Sequence, residues 1–180
     1  MGDWPVSRMD VITIHPWSVE SIGGKFFNQG GTSFIAAASL AYPAANDALF
    51  VPFYLPKPIV IVTLFAHNGA TVSGNIDMGI YDVAGVRLVS IGSTAQAGAN
   101  GVQFFNITDT QVGPGHFYLA VAMNNTTGTL FRGTAGSTIR IQPMGMAKQA
   151  TAFALPATAT FATVTADYVP LMGLSTRAVI

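Results

Sequence analysis

The sequence contains no cysteine and few charged residues. Because cysteine is absent, neither disulfide bonds nor thiolate metal sites hold the fold, and the redox compartment cannot be inferred. Charged residues make up 9% of the chain, against roughly 25% in an ordinary soluble domain. A compact domain normally covers its exterior with charge, so we expect a surface of small polar residues that is partly hidden against other subunits.

Clusters of basic residues are also missing. The formal net charge is +0, and the five arginines are scattered at positions 8, 87, 132, 140 and 177. A nucleic-acid-binding protein normally carries a cationic stripe that neutralises phosphates, so nucleic acid is not an expected partner. No apolar run approaches the ~18 residues of a membrane span, and MGDWPVSRMD lacks a basic region followed by an apolar one. We therefore expect a protein made in the cytoplasm, without a membrane partner.

Catalytic and metal-binding motifs are absent as well. The histidines at positions 15, 67 and 116 are far apart and show no HxH or HExxH spacing. Neither a GxSxG nucleophile motif nor a phosphate-binding loop occurs. The sequence predicts no catalytic residues, no metal site and no cofactor, and so a protein that is not an enzyme.

Short alternating runs are what the sequence does contain. Ile76, Met78 and Ile80 alternate with Asn75, Asp77 and Gly79, and Phe117, Leu119 and Val121 alternate with His116, Tyr118 and Ala120. Such alternation is typical of strands with one buried face and one open face. Turn-forming Gly, Pro and Asn residues separate the runs. We predict an all-β fold, an antiparallel β-sandwich or jelly roll with an extended N-terminal arm.

Residues 34–180 are predicted to form this single β-sandwich domain. The predicted strands are Leu49–Leu55, Ile59–Ala66, Asn75–Tyr81, Val86–Ile91, Val102–Ile107, His116–Met123, Thr129–Arg132, Ser137–Gln142 and a closing run at Tyr168–Leu174. Phe34–Tyr42 fits either a strand or a helical turn, because it is short and rich in alanine. Pro52 confines its strand to an edge or a bulge. The polar stretch 92–101 is expected to be a loop without a role in the core.

Residues 1–33 are predicted to form the extended arm. Prolines and the glycine pairs at 23–24 and 30–31 break any helix there, and Val11–Ile14 fits one short strand. The arm carries four large aromatic residues, Trp4, Trp17, Phe26 and Phe27, which we predict to be interface residues. Two alternatives remain open: the arm packs on its own sandwich, or it reaches a neighbouring subunit.

The run Ile59–Ala66 is apolar on both faces, unlike its neighbours. A strand of this kind is covered on both sides, and its second cover is either the arm or another protomer. Val62 and Leu64, on the face not assigned to the core, are therefore predicted interface residues. Together with the low charge, this strand predicts a homo-oligomer, with a trimer preferred.

One predicted strand carries candidate ligand-binding residues. Asn75 and Asp77 offer oxygen atoms to calcium or hydrogen bonds to a sugar, and Tyr81 offers an aromatic face. The alternative is that Asp77 belongs to an ordinary polar outer face. If Tyr54, Tyr81 and Tyr118 are exposed together, they form a platform on which a sugar can stack.

The order of several motifs resembles structural proteins of tailed bacteriophages and prophages. These motifs are Val51-Pro52-Phe53, NGATVSGNIDMGIYDVAGVRLVSIGSTAQAG, QFFNITDT, PGHFYLAVAMNNTTGT, Leu155–Phe161 and Val169–Leu171. The resemblance implies a virion component with no catalytic residues to transfer, such as a capsid decoration (cement) protein or a related head or tail component. Its partners would be copies of itself and other virion proteins such as the major capsid protein. The alternative is a carbohydrate-binding module of a tail or fibre that attaches to the host.

Overall fold

The structure is a computed structural model that describes residues 38–133 and 138–176. The predicted arm at residues 1–33 lies outside the described residues, and so do Trp4, Trp17, Phe26, Phe27 and the short strand predicted at Val11–Ile14. The predictions about the arm stay predictions.

The described residues form thirteen short strands and one helical turn. In chain order these are β1 (Ala38–Ala41), β2 (Ala48–Leu55), β3 (Ile59–His67), β4 (Asn75–Asp82), β5 (Arg87–Ser90), β6 (Thr94–Ala95), β7 (Val102–Val112), β8 (Gly115–Met123), β9 (Thr129–Gly133), α1 (Thr138–Ile141), β10 (Ala147–Gln149), β11 (Ala162–Thr163), β12 (Val169–Pro170) and β13 (Met172–Ser175). The longer strands are rich in β-branched and aromatic residues, which suit a pleated, partly buried surface.

One layer of the fold is a seven-stranded sheet with the order β11-β10-β2-β8-β4-β5, in which β6 also pairs with β4. β8 lies at its centre, since Ala120 pairs with Phe50 on one side and with Gly79 on the other. β10 pairs only with residues 48–50 of β2, so Pro52 lies beyond its reach. Because proline has no N–H to donate, Pro52 suits this edge-like half of β2, as predicted.

The second layer consists of two three-stranded sheets, β1-β9-β12 and β13-β3-β7. Leu171 joins them: its N–H donates to the carbonyl of Phe131 (2.8 Å), and its carbonyl accepts from the N–H of His67 (2.9 Å). The strand pairings in both layers are antiparallel. The prediction of an all-β antiparallel sandwich is confirmed, and the jelly-roll connectivity stays a prediction.

The main core lies between the two layers. The seven-stranded sheet contributes alternate residues of β2, β4 and β8, and the second layer contributes residues of β3, β7, β9 and β13. Buried members include Leu49, Val51, Phe53, Ile76, Met78, Ile80, Leu119, Val121, Ile61, Leu64, Phe105, Leu130 and Leu174. Burial of each such side chain stabilises the fold by roughly 1.5–3 kcal/mol. The alternating pattern of β4 and β8 predicted this inner face correctly.

The outer face of the seven-stranded sheet is also buried, because residues 150–161 lie over it. We call these residues the covering segment. Its apolar members Ala152, Leu155 and Ala159 form a second core with Phe50 and Tyr81 and with small residues of β2 and β8. The expectation of one open face is therefore wrong for β4 and for the part of β8 at Ala120 and Ala122, whereas the start of β8 at His116 keeps an open face.

Small residues make this coverage possible. At Gly79 a Cβ atom would lie 2.6 Å from the carbonyl oxygen of Val89 and 3.2 Å from Cδ1 of Leu155. A distance of 2.6 Å to a backbone oxygen is not tolerated, so only glycine fits beside the Val89 carbonyl of β5, and a Cβ atom would also press on the Leu155 side chain of the covering segment. The alternating pattern of β4 assigns Gly79 to the outer face. It does not predict that another segment of the chain covers this face.

Two further local predictions are wrong. The strand predicted at Ser137–Gln142 is the helical turn α1, closed by the N–H of Gln142 donating to the carbonyl of Thr138 (3.1 Å). The stretch 92–101 is more than a loop, because it contains β6 and the buried side chain of Gln96. The ambiguous run at 34–42 contains a strand, β1, which pairs with β9.

The two faces of β3 are not divided as the simple alternation predicts. The pairing register between β3 and β7 shifts between Ile61 and Thr63. Ile61 and Leu64, which are three positions apart, therefore both face the main core and are fully buried. The assignment of Leu64 to a subunit interface is wrong. Val62 is half-buried at the shift, and its predicted interface role stays a prediction.

We expect Leu64→Ala to lower the free energy of unfolding by about 2–5 kcal/mol, because it removes buried methyl groups and leaves a cavity. A matched leucine is Leu40, whose side chain is 40% exposed on β1. Leu40→Ala should change stability by no more than about 0.5 kcal/mol. Chemical denaturation of both variants measures the difference, and equal costs would show that Leu64 does not belong to the core.

Candidate functional site

The three predicted ligand-binding residues lie on β4, but Asp77 does not face an open site. Its side chain is buried under the covering segment. One carboxylate oxygen, Oδ1, accepts from Ser90 Oγ (2.9 Å), and the other, Oδ2, accepts from the N–H of Leu155 (2.9 Å). The alternative of an ordinary polar outer face is wrong for Asp77, because the covering segment removes that face from water.

Tyr81 is also buried. It lies on the same face of β4 as Asp77, four residues further along the strand. Its hydroxyl donates to the carbonyl of Pro156 (2.6 Å), and its ring stands edge-on to Phe50 at a centroid distance of 5.3 Å. Burial raises the pKa of Tyr81 to about 12, against the opposing effect of the nearby Arg87 charge. The ring is therefore not a free platform for a sugar.

Asn75 lies at the start of β4, away from the covering segment. Its side-chain amide donates to Ser93 Oγ (2.8 Å), and its backbone N–H donates to Asn124 Oδ1 (2.9 Å). The three predicted residues thus make contacts within the chain, and the structure does not bring them together around a shared opening. Asp77 and Tyr81 instead hold the covering segment on the sheet.

Burial is the main cause of a raised pKa at Asp77, and the hydrogen bonds from Ser90 and Leu155 oppose the rise. A carboxyl group whose pKa is higher in the folded state than in the unfolded state favours folding when it is protonated. This contribution is complete below the ordinary pKa of 3.8 and is lost as the pH rises through the raised value.

We expect Asp77→Ala to cost about 1–3 kcal/mol at neutral pH, because the buried N–H of Leu155 loses its acceptor. Asp77→Asn keeps an acceptor for that N–H and removes the charge. The unfolding free energy of Asp77→Asn should therefore fall less than that of the natural protein as the pH rises from the ordinary pKa of aspartate through the raised one.

Chemical denaturation over a pH series measures both effects. Asp109→Asn is the matched control, since Asp109 is exposed on β7. If Asp77→Asn and Asp109→Asn give the same pH dependence, burial does not set the titration of Asp77.

A buried amide network, which the sequence analysis missed, fixes the loops around β6. Gln96 donates through Nε2 to Asn68 Oδ1 (3.0 Å) and to the carbonyl of Thr129 (2.8 Å), and its Oε1 accepts from the N–H of Ser73 (2.9 Å). Asn68 in turn donates to Gln103 Oε1 (3.0 Å). Each polar atom has a partner, so the network stabilises the loops and offers no vacant ligand. A lone Gln among small residues was its only signal.

Apolar surface remains at the β4–β5 hairpin. Val83, Val86 and Leu88 are between 39% and 63% exposed. We call these three residues the hairpin tip. The turn is held rigidly, because Asp82 Oδ1 accepts from the N–H of Val86 (2.8 Å) and the carbonyl of Gly85 accepts from Ala159 in the covering segment (2.7 Å). A rigid apolar projection loses little conformational entropy on binding a partner.

A second apolar surface lies on the outside of the second layer. Phe65 and Phe104 pair across β3 and β7 with ring centroids 5.7 Å apart, and Val102 pairs with His67. The His67 ring stacks on Phe131 of β9 at 4.3 Å. We call these five residues the outer aromatic patch. Val102 and Phe104 are 43% and 46% exposed.

A row of rings also lies on the outer face of the seven-stranded sheet. Tyr54 and His116 face each other across β2 and β8 at 4.8 Å, and Tyr118 contacts Phe161 at 4.6 Å. His116 is exposed and the other three are half-buried. Tyr54 and Tyr118 thus lie on one face as predicted, whereas Tyr81 lies beneath the covering segment.

No known protein family, curated protein or solved structure matches this chain. Within residues 38–133 and 138–176, no group of three or more His, Asp or Glu side chains is placed to hold a metal ion. The same part of the chain contains no helix of the length and hydropathy that a membrane span requires.

Proposed function

We propose that this protein is a non-enzymatic structural component of a bacteriophage virion, a capsid decoration (cement) protein or a related head or tail component. In this proposal it works through contacts with copies of itself and with other virion proteins such as the major capsid protein. The order of the motifs in the sequence supports the virion assignment, and the hairpin tip supports the mode of action.

The hairpin tip is the observation on which the proposal depends. Three large aliphatic side chains project from a turn that hydrogen bonds hold in place. Isolated exposed apolar residues are common, but three on one short hairpin mark a contact surface. The chain has only 9% charged residues, so little charge needs to be desolvated when subunits meet. A homo-oligomer, with a trimer preferred, is the proposed form.

The polar groups that first suggested a ligand site also fit a structural role. Asp77 and Tyr81 hold the covering segment, and Gln96 holds the loops near β6. Their hydrogen-bonding capacity is directed into the fold rather than toward a substrate. Rigidity of this kind suits a subunit that has to present a fixed surface to its neighbours.

Virions purified from the host that encodes this chain should contain its peptides, as detected by mass spectrometry. Introducing Val83→Asp and Val86→Asp together should reduce incorporation and shift the purified protein toward the monomer in light scattering, because charge replaces the apolar contact. Leu40→Asp is the matched control, since Leu40 is 40% exposed on β1 of the other layer and should leave both readouts unchanged.

A different result would contradict each part of the proposal. If the expressed protein is missing from gradient-purified virions, the virion assignment is wrong. A natural protein that is strictly monomeric at micromolar concentration contradicts the homo-oligomer. Unchanged assembly of the Val83→Asp, Val86→Asp variant removes the hairpin tip from the interface.

A second candidate function is carbohydrate binding in host attachment, which the ring row at Tyr54, His116, Tyr118 and Phe161 favours. Aromatic faces stack on sugar rings. This row contains two ring pairs on one sheet face, and the two ring centroids within each pair are less than 5 Å apart.

If this function holds, Tyr54→Ala should weaken binding of host surface polysaccharide at least tenfold in calorimetry, and Tyr54→Phe should keep most of it because the ring remains. Equal binding by the natural protein and Tyr54→Ala would exclude this row as the binding site.

A further inference from the structure

The outer aromatic patch is an apolar surface with a defined position in the second layer. It runs from Val102 and Phe104 on β7, across Phe65 and His67 on β3, to Phe131 on β9. Gly173 of β13 lies beneath the Phe65 ring: a Cβ there would be 2.2 Å from Cζ of Phe65. The end of the Phe65 ring therefore occupies the space that a side chain at position 173 would fill.

The segment that precedes β1 arrives beside this patch. β1 is the edge strand of the same layer, and Ala38 pairs with Arg132, the residue next to Phe131. From β1 to β7 the layer is four strand spacings wide, roughly 19 Å at about 4.8 Å per spacing. Twelve extended residues reach about 40 Å at about 3.3 Å each, which is enough to cross the patch and turn.

Composition distinguishes the segments outside the described residues. The sequence at 134–137 is TAGS and carries no large apolar side chain. The sequence at 177–180, RAVI, has no aromatic residue, and it follows β13 at the Ser175 end, which is the end farther from His67 and Val102 of the patch. Residues 26–37, FFNQGGTSFIAA, carry Phe26, Phe27 and Phe34 and end directly at β1.

We propose that residues 26–37 of the same chain cross the outside of the second layer and place Phe26 and Phe27 on the outer aromatic patch. Described residues of both layers already form a continuous main core. The glycine pair at 30–31 permits the change of direction between β1 and the patch. This inference does not depend on the proposed function: it assigns the inner part of the arm to the fold and leaves Trp4 and Trp17 for partners.

Chemical cross-linking in the full chain tests the contact directly. Because the natural sequence has no cysteine, a pair of introduced cysteines gives an unambiguous product. Asn28→Cys combined with Val102→Cys should give a link within one chain when treated with a short bis-maleimide. Asn28→Cys with Ala150→Cys is the matched control, because Ala150 is exposed in the covering segment on the other layer, and it should give none.

A mixture of the two single-cysteine chains shows whether the patch is covered by the arm of the same chain or by the arm of a second copy. A link that forms only between different chains would overturn the proposal, because the patch would then be covered by the arm of a second copy. The absence of any link at Val102, or equal linking at Ala150, would overturn it as well.

A double-mutant cycle in the full chain adds an energetic test. Replacing Phe26 and Phe27 by Ala should lower Tm by several degrees, and so should Phe104→Ala. Combining them should lower Tm by clearly less than the sum, because both changes remove the same contact. The arm change combined with Leu155→Ala, in the second core of the other layer, should be additive, and additivity with Phe104→Ala would overturn the proposal.

Discussion

The rest of the structure depends on the burial of the seven-stranded sheet on both of its faces. The inner face packs on the second layer, and the covering segment packs on the outer face. This arrangement requires glycine at position 85, where a Cβ atom would lie 2.5 Å from the carbonyl oxygen of Ala159 in the covering segment, and it requires Asp77 to accept the N–H of Leu155 that burial removes from water. Without that acceptor the segment would leave an unpaired backbone donor in an apolar place.

The same constraint explains where sequence reasoning succeeded and where it did not. The inner faces of β4 and β8 were predicted from their alternation, because packing on one face leaves a period of two in the sequence. The role of Asp77 was not predictable in this way. An aspartate in an outward position has the same pattern whether water or another segment of the chain covers it.

Other differences arise from contacts that are distant in sequence. The register shift between β3 and β7 moves Leu64 into the core, and it depends on how two separate strands pair rather than on either strand alone. At Thr138–Ile141 two isoleucines and a threonine favour a strand, yet the chain forms one helical turn. For the candidate surfaces, composition predicted a weakly charged exterior of small polar residues that is partly hidden against other subunits, and only the structure located the exposed apolar residues of the hairpin tip and the outer aromatic patch.

The link at Leu171 has a consequence for the order in which this fold is completed. In the second layer β9 pairs with β12, and β3 pairs with β13. β12 and β13 come after all the other described strands in the sequence. During synthesis the two three-stranded sheets therefore remain incomplete until residues 169–175 have left the ribosome. Until then β3 lacks a pairing partner along one of its two edges. The contacts between β3 and β13 close loops of more than a hundred residues. Such long-range closure is entropically costly and slow. The pairing of residues 169–175 therefore limits the rate at which the second layer forms.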